Sequence, residues 1–328
     1  MVDLIIPTWK ARNTLPAALD SLVAQTKKLF IVTIVQDADG EDYSDIIEEY
    51  HRRGLKIRLI QMEQNGGPGL ARQRGMDTDT MSKYFMFMDS DDILNPRAIE
   101  VLTREIELNN ADMIFSNFLV DKPGVPAMVM DVDSTPCTWT HGKVYRAEYL
   151  RKNNIRFHPE LRLNEDSYFN LVATNCTTNK IKIHEVTYIW HQTPTSLTRK
   201  DGEVGFFTRG WAQYITSQVY GLQDIGARLG QLDPNLAAAT FINMYTQHMK
   251  AMCNQIAEKC SVEDFNSVAR KLGTLKNDKV IMEAVRTKQF WEYISKNLKG
   301  CEMFDDHLIF YKMRFCDWMQ AYITEELV

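Results

Sequence analysis

The chain has 328 residues, of which 45% are hydrophobic and 25% are charged, values that argue against disorder and allow a large core and two domains. Its 38 basic and 43 acidic side chains leave a net charge of -5, which argues against a protein that coats nucleic acid non-specifically. The six cysteines are scattered without a CxxC pair, so they indicate neither a zinc site nor a disulfide framework. No segment approaches the ~18 consecutive apolar residues of a membrane span, and the first apolar run is too short for a signal peptide. We therefore expect a cytoplasmic protein without a transmembrane segment.

Short apolar runs alternate with amphipathic stretches in the first half of the chain, a pattern typical of strands alternating with helices around a largely parallel sheet. Strands are expected at residues 4–6, 30–35, 57–61, 84–88, 111–120 and 181–190. Helices are expected at 15–23, after Ser44, at 70–77, from Asn95-Pro96 with Asn95 as the cap, at 147–152 and after Glu165.

The character of the sequence changes twice further along. Residues 121–142 are rich in turn formers, which predicts a break or a change of topology there. From about residue 203 the apolar spacing becomes helical, with helices expected at 236–260, 280–298 and 307–327. We therefore expect an α/β domain at 1–202 and a helical domain at 203–328. The segment 307–327 has more apolar surface than one helix face needs, which predicts burial against another domain or, in a homo-oligomer, another chain.

Three carboxylates, Asp89, Asp91 and Asp92, directly follow the apolar strand at 84–88. On an extended backbone Asp89 and Asp91 point to the same side, and ligands of parallel sheets bind outside the carboxyl ends of the strands. Mn²⁺ or Mg²⁺ would offset the repulsion, and a phosphate or diphosphate would complete the coordination. The alternative is a helix-capping loop that precedes Pro96.

Further pieces at successive strand ends make the pattern more specific. They are Pro7-Thr8-Trp9, Gln36 to Gly40, Asn65 to Gly69 followed by Arg72, and the acidic cluster. This set, in this order, resembles the family 2 glycosyltransferases of the GT-A fold over about residues 2–200. The resemblance implies an α/β, Rossmann-like, mixed and mostly parallel sheet flanked by helices. It also implies a nucleotide-sugar donor and a divalent cation.

The resemblance assigns the donor nucleotide to the strand-end loops, with Asp37 on the base and Asp39 as its fallback. The donor residues so implied are Pro7, Thr8, Asp37, Asp39, Asn65, Gly67, Arg72, Asp89, Ser90 and Arg199. The family usually has two adjacent aspartates before Gly-Ser, where this chain has Gln-Asp-Ala-Asp, and Arg-Asn where it has Arg-Gln. A UDP-linked sugar remains the expected donor. An alternative for Arg72 is a helix-surface cation.

For the metal, Asp91 corresponds to the family's metal-binding aspartate and Asp89 to the residue that supports the ribose and the metal. His191 follows the strand at 181–190 and is either a third metal ligand or a diphosphate contact. A histidine at a strand end is also a common structural residue, so that alternative stays open.

The pair Glu165-Asp166 matches the family's catalytic pair, which implies Asp166 as the base, while Glu165 orients the loop. The acceptor hydroxyl must lose its proton as it attacks the anomeric carbon, and a carboxylate can accept that proton. The metal offsets the charge that grows on the leaving diphosphate. The resemblance implies an inverting single displacement. The alternative is a helix N-terminus, where the dipole favours two carboxylates.

Trp139, His141 and Lys143 match a region that lines the acceptor side in the family. Basic side chains outnumber acidic ones between 143 and 162, which favours a phosphate-bearing acceptor, whereas a solvated helix face is the alternative. The acceptor classes are a lipid-linked saccharide, a teichoic-acid-like polymer, another glycan, or a nucleic acid whose modified base carries a hydroxyl. The Gln-x-x-Arg-Trp signature of processive members is absent, so we expect one sugar per encounter.

Two other functions remain open. A nucleotidyltransferase that makes nucleotide sugars shares a related sheet and metal carboxylates, but it normally carries a glycine-rich loop after strand one, and this chain has no glycine between Pro7 and Arg12. A non-catalytic nucleotide-sugar-binding module would be marked by the loss of the acidic groups, yet Asp89, Asp91 and Asp166 are all present. The sequence therefore favours the glycosyltransferase.

Overall fold

A computed structural model of the chain describes residues 1–78, 81–133, 138–192 and 210–241, together with a few positions further along. The chain divides into two compact units, Met1–Lys200 and Asp201–Val328. Among the described residues, no helix combines the length and the apolar character that a membrane span requires.

The described part of the first unit contains one sheet and its flanking helices. The strands are β1 (Val2–Thr8), β2 (Phe30–Gln36), β3 (Ile57–Gln61), β4 (Tyr84–Phe87), β5 (Ile93–Leu94), β6 (Met113–Lys122), β7 (Val125–Met130), β8 (Lys143–Arg146) and β9 (Lys180–His191). The helices are α1 (Leu15–Val23), α2 (Ser44–Arg52), α3 (Gly67–Thr78), α4 (Ala98–Asn109), α5 (Ala147–Lys152) and α6 (Glu165–Asn175).

The sheet is mixed, with the strand order β3-β2-β1-β4-β8-β6-β9-β5 and with β7 paired to β6. Strands β3, β2, β1 and β4 are parallel, β8 runs antiparallel to both of its neighbours, and β6 and β9 are parallel. The chain order reverses beside β1, because β2 lies on one side of it and β4 on the other. Ligands of such sheets bind in the crevice at this switch point, outside the carboxyl ends of the strands. The predicted fold class is confirmed.

The core lies around the two central strands. Every residue of β1 and β4 is buried, as expected for parallel strands covered on both faces. Helix α1 buries its leucines at positions 15, 19 and 22 completely. Helix α3 comes so close to β1 that a Cβ on Gly75 would lie 2.6 Å from Ile5 Cγ2. This close packing fixes where α3 begins, beside the ends of β1 and β2.

The structure corrects three local predictions. Helix α4 begins at Ala98 after the cap residue Arg97, not at Asn95, because Asn95 Oδ1 instead accepts the Arg97 N–H (3.0 Å) in a turn. The turn-rich region 121–142 contains β7, whose continuous apolar run does not alternate in polarity. The sequence patterns also gave no prediction of the short strand β8, which lies directly before α5.

The described part of the second unit contains α7 (Trp211–Leu229), helical residues 234–241 and a two-stranded antiparallel ribbon, β10 (Ile309–Phe310) with β11 (Met313–Arg314). The prediction of a helix across 307–327 is therefore wrong at these four strand residues. Most of the helices predicted at 236–260 and 280–298 lie outside the described residues. Oligomerisation through this unit stays a prediction.

Candidate active site

The loops after β1 and β2 are held together by Asp39. Its carboxylate accepts the backbone N–H of Lys10 (2.7 Å) and the hydroxyl of Tyr43 (2.8 Å), and also the side-chain amide of Gln36 (2.5 Å). These hydrogen bonds hold the pKa of Asp39 below its usual value although burial opposes this. The geometry gives Asp39 a loop-ordering role. Pro7 and Thr8, the predicted nucleoside contacts, are the buried last residues of β1.

Asp37 holds the glycine-rich turn before α3. Its two carboxylate oxygens accept the backbone N–H groups of Gly66 (2.6 Å) and Gly67 (2.8 Å), and its carbonyl oxygen accepts the Asn65 amide (3.1 Å). Gly67 has φ +81°, a conformation that a residue with a Cβ adopts only under strain. The guanidinium of Arg162 donates to the Asn65 backbone carbonyl (3.0 Å). The predicted strand-two and glycine-rich pieces therefore do meet.

Arg72 joins the two groups of predicted catalytic carboxylates. Its side chain is 4% exposed, and the guanidinium donates to Asp89 Oδ1 (2.5 Å) and to Glu165 Oε1 (2.7 Å). Burial opposes the charge on Arg72, but the two carboxylates outweigh it and raise its pKa. For Asp89, burial is likewise outweighed, by Arg72 and His141, so that its pKa lies well below the usual range. Arg72 is thus an internal bridge, and the surface-cation alternative is excluded.

Helices α3 and α6 approach each other at Gly69. A Cβ on Gly69 would lie 2.6 Å from Glu165 Cγ and 3.0 Å from Glu165 Cβ. Real Cβ atoms do not come so close to a neighbouring carbon, so the absence of a side chain at Gly69 is what lets Glu165 reach Arg72.

The third carboxylate of the acidic cluster, Asp92, is completely buried. Its oxygens accept the Tyr188 hydroxyl (2.6 Å) and the His191 backbone N–H (2.8 Å). Burial, together with the neighbouring Asp89 and Asp91, raises the pKa of Asp92 well above its usual value. Sequence reasoning assigned Asp92 no role of its own. Its burial anchors the loop that carries the half-buried Ser90 and Asp91.

His141, predicted at the acceptor side, lies against the acidic cluster. Its ring is 5% exposed and stacks on Tyr188 with a centroid distance of 4.8 Å. The Nε2 atom lies 3.8 Å from one oxygen each of Asp89 and Asp92, while the buried Nδ1 atom has no hydrogen-bond partner among the residues that the structure describes. Burial lowers the pKa of His141, although the neighbouring Asp89 acts in the opposite direction.

These side chains can be tested as ligands of a divalent cation. Ligand atoms of Asp89, Asp92 and His141 all lie within 4.8 Å of one another. Two ligands that each bind at about 2.1 Å lie at most ~4.2 Å apart, so the 3.8 Å separations from His141 Nε2 fit a shared ion. By contrast, the ring Nδ1 of His191 is hydrogen-bonded to Asp121 Oδ2 (2.8 Å). The predicted ligand role of His191 stays a prediction.

Asp166 is the second residue of α6 and is partly buried. Burial and the adjacent Glu165 raise its pKa to about 7, although Arg72 acts in the opposite direction. Its carboxylate accepts the Ser167 N–H (2.8 Å). Asn170, one turn later and completely buried, donates its side-chain amide to the Asp166 carbonyl (2.9 Å). A carboxylate with a pKa near 7 at the start of a helix is suited to accept a proton.

Asn170 also connects α6 to the predicted acceptor side. Its amide donates to the Thr138 carbonyl (2.9 Å), and its oxygen accepts the Tyr145 hydroxyl (2.7 Å). Sequence reasoning missed Asn170, although a polar residue four positions after Asp166 lies on the same helix face. The neighbouring Trp139 carbonyl accepts a hydrogen bond from the ammonium of the buried Lys143. The predicted acceptor-side residues therefore share one ordered segment.

Two cations of the predicted basic patch at 143–162 have local partners in different places. Arg146 donates to the Ala111 carbonyl (2.9 Å), and Arg156 pairs with Asp77 (2.7 Å) at another place on the unit. The separate engagement of these cations favours the alternative of solvated or locally paired side chains. Arg199, the predicted diphosphate clamp, lies outside the described residues.

The family model for glycosyl transferase family 2 matches residues 3–167, about half of the chain. The chain belongs to glycosyltransferase family 2. The matched residues include the switch-point crevice and both members of the Glu165-Asp166 pair, so the predicted resemblance is confirmed.

Curated relatives share about a quarter of their residues with the chain over the stretches that match. An uncharacterized glycosyltransferase EpsJ of Bacillus subtilis is 27% identical over 218 residues, which are 60% of this chain and 63% of EpsJ. The poly(ribitol-phosphate) beta-N-acetylglucosaminyltransferase TarS of Staphylococcus aureus is 28% identical over 184 residues, which are 52% of this chain and 32% of TarS. The chain thus matches less than two thirds of the length of each of these relatives.

Solved structures show the same fold. The structure of S. aureus TarS 1–349 in complex with UDP-GlcNAc superposes with a TM-score of 0.67 at 17% identity, covering 98% of this chain and 91% of that one. A mannosyltransferase from Pyrobaculum calidifontis in complex with GDP-Man and Mn²⁺ superposes with a TM-score of 0.54 at 12% identity, covering 98% of this chain and 84% of that one. At these identities the likeness establishes the GT-A fold.

Proposed function

We propose that this family 2 protein transfers a sugar from a UDP-linked donor to an acceptor hydroxyl, with inversion and with Asp166 as the general base. One observation carries the proposal: the guanidinium of Arg72 bridges Asp89 at the end of β4 and Glu165 at the start of α6. This bridge holds Glu165, the residue before Asp166, across from the loop that carries Asp89. A donor bound at that loop therefore has a proton acceptor close by.

The donor nucleotide fits the loops at the ends of β1 and β2. Each carboxylate oxygen of Asp37 accepts one backbone N–H and keeps a second lone pair. Uracil offers an N–H donor that such an oxygen can accept. The Asp37 N–H donates to the Thr8 carbonyl (2.9 Å), and the next residue, Trp9, is 44% exposed with the Lys10 ammonium 4.8 Å from its ring centroid. Because TarS binds UDP-GlcNAc, UDP-GlcNAc is the first donor to test.

A divalent cation fits the acidic cluster. Carboxylate oxygens suit Mn²⁺ or Mg²⁺, and the buried imidazole of His141 faces two of them. Asp89 and His141, with Asp91 or Asp92, would hold it. When bound, the cation supplies positive charge to the diphosphate as it leaves.

The protein's own residues then carry the proton transfer. Asp166, ionised above a pH of about 7, accepts the proton of the acceptor hydroxyl as the oxygen attacks the anomeric carbon. Glu165, fixed by Arg72 and by its contact with Gly69, orients the first turn of α6. Asn170 holds the same turn against the segment that carries Trp139 and His141.

For the acceptor we propose a glycan or a polyol-phosphate polymer. The relatives named as poly(ribitol-phosphate) transferases support this class, since two such enzymes match over about half of this chain. Each transfer adds one sugar to a hydroxyl. Poly(ribitol phosphate) is therefore the first acceptor to assay, with neutral oligosaccharides as the comparison.

The test separates donor binding from chemistry. Calorimetry with UDP and Mn²⁺ and an assay of UDP release are applied to the wild type, Asp89→Asn and Asp166→Asn, with Asp20→Asn on the exposed face of α1 as an Asp-to-Asn control outside the site. We expect Asp89→Asn to lose Mn²⁺-dependent UDP binding. Asp166→Asn should retain that binding and lose UDP release by about 10²–10⁴-fold. Retained turnover in Asp166→Asn would place the base elsewhere, and absence of UDP binding in the wild type would refute the donor.

A further inference from the structure

Tyr188 of β9 contacts the acidic cluster at several points, and its side chain is completely buried. Its hydroxyl accepts the Asp89 backbone N–H (3.1 Å) and donates to Asp92 Oδ2 (2.6 Å). Its ring stacks on His141 with an angle of 23° between the ring planes. One side chain therefore contacts all three of the residues whose ligand atoms lie within 4.8 Å of one another.

The two hydrogen bonds of the hydroxyl fix the direction of its proton. A hydroxyl has one proton to donate, and here its oxygen accepts the Asp89 N–H, so the proton points to Asp92. The other oxygen of Asp92 accepts the His191 N–H (2.8 Å). The hydroxyl thus ties the backbone of one aspartate to the side chain of the other. This link sets the separation of the two carboxylates that face His141 Nε2.

The backbone of Tyr188 is fixed by strands on both sides. It pairs in parallel with Phe118 of β6 and antiparallel with Leu94 of β5. Leu94 follows Asp92 by two residues, so β9 holds the same loop through its backbone as well. A site supported by strands is positioned more precisely than a site that depends on loops alone. The hydroxyl therefore connects the acidic loop to the rigid part of the sheet.

We propose that Tyr188 is a positioning residue for a divalent cation. Its hydroxyl holds Asp89 and Asp92, and its ring holds His141, at the 3.8 Å separations that fit a shared ion. This role rests on the proposed function, because it takes a divalent cation as the occupant of the cluster. Groups that orient metal ligands typically change the metal affinity by about 10–100-fold when they are removed.

Tyr188→Phe tests the hydroxyl alone, because it retains the ring that stacks on His141. Mn²⁺ binding to the full chain is measured by electron paramagnetic resonance, with and without UDP, and the Mn²⁺ dependence of UDP release is measured beside it. We expect the Mn²⁺ dissociation constant to rise about 10–100-fold, while kcat at saturating Mn²⁺ falls far less. A folding defect gives the opposite pattern, since it lowers the number of binding sites and kcat but leaves the affinity of the folded fraction unchanged.

Tyr50→Phe is the matched control. Tyr50 is 3% exposed, and its hydroxyl bonds to the Pro16 carbonyl (2.7 Å) and to Asp20 Oδ1 (2.8 Å), away from the acidic cluster. The control should leave the Mn²⁺ affinity unchanged. The rise in melting temperature that Mn²⁺ produces is a second readout, because it compares affinities even where a variant is less stable. We expect a smaller rise in Tyr188→Phe than in the wild type or Tyr50→Phe.

The outcomes separate this role from the proposed transfer reaction. Wild-type Mn²⁺ affinity in Tyr188→Phe, or an equal loss of affinity in Tyr50→Phe, overturns the positioning role and leaves the transfer reaction untouched. Weaker Mn²⁺ binding in Tyr188→Phe supports the role even if the wild type releases no UDP, a result that would count against the transfer reaction alone. A wild type that binds no Mn²⁺, with or without UDP, overturns the positioning role whatever its activity.

Discussion

Gly69 is predicted to be the point where the spacing between α3 and α6 controls catalysis. In Gly69→Ala the new Cβ would lie 2.6 Å from Glu165 Cγ, whereas ordinary carbon–carbon contact begins near ~3.5 Å. The atom it meets is close to the backbone of α6, and the far end of that side chain is fixed by Arg72. Relief of the overlap therefore requires a shift of about 0.9 Å between the helices, which carries Asp166 with it.

The expected effect on activity is larger than the effect on stability. A displacement of about 1 Å at a reacting group costs roughly 10²-fold in rate. Overpacking costs about 1–3 kcal/mol of unfolding free energy, and replacing glycine by alanine inside a helix returns up to ~1 kcal/mol. We therefore expect kcat of Gly69→Ala to fall about a hundredfold, with a net stability loss of roughly 0–3 kcal/mol and unchanged UDP binding.

Gly75→Ala is the matched control for this variant. It makes the same change in the same helix and produces the same 2.6 Å approach, but its neighbour is Ile5 of β1, not Glu165. The assay is UDP release under saturating donor, with the fraction of folded protein measured by thermal unfolding. If the two variants lose kcat equally, the loss reflects general packing, and the proposed coupling between Gly69 and Asp166 is refuted.

Three further outcomes are expected. The transfer rate should rise with pH through about 7 as Asp166 ionises. An acid whose pKa is raised on folding destabilises the folded state above its unfolded pKa, so Asp166→Asn should raise the melting temperature at pH 8 more than at pH 4. An equal change in melting temperature at both pH values would contradict the raised pKa of Asp166. Arg72→Lys should lower both kcat and the free energy of unfolding, because one ammonium does not span the two carboxylates that the guanidinium bridges. A wild-type kcat in this variant would show that the bridge is dispensable. In Mn²⁺ titrations followed by electron paramagnetic resonance, His141→Ala should weaken binding and His191→Ala should not, and the reverse result would support the ligand set expected from family resemblance.

The fold could be predicted from the sequence where a strand has a clear apolar pattern. The apolar runs of β1, β2 and β4 and the amphipathic stretches between them indicated the alternating order of strands and helices, although β1 continues through Pro7 to Thr8 and does not end at Ile6. Strand β7 could not be predicted in this way, because exposed apolar residues on both faces give no alternation. Helix starts also depend on tertiary contacts, as Asn95 shows, whose backbone N–H donates to the Thr187 carbonyl of β9 (3.0 Å).

The sequence predicted which loops form the candidate site, but it did not predict which of their side chains contact one another. The sequence identified Asp37 and Asp39 as alternatives for one role, whereas the structure shows that Asp39 orders the loop after β1 and Asp37 orders the glycine-rich turn. The bridge from Arg72 to Glu165 joins residues 93 positions apart. No local pattern encodes such a contact, because it depends on where α6 packs against α3.

Asp89, which pairs with Arg72, and Asp166, which adjoins the paired Glu165, have pKa values shifted in opposite directions, and this is what makes the site chemically useful. Asp89 stays ionised, since Arg72 and His141 outweigh the effect of burial on its pKa. Burial and Glu165 raise the pKa of Asp166 towards neutrality. A permanently charged carboxylate suits the binding of a cation, and a carboxylate that titrates near pH 7 suits proton transfer. One buried arginine thus supports both functions, since it stabilises the charge on the first group while fixing the position of the second.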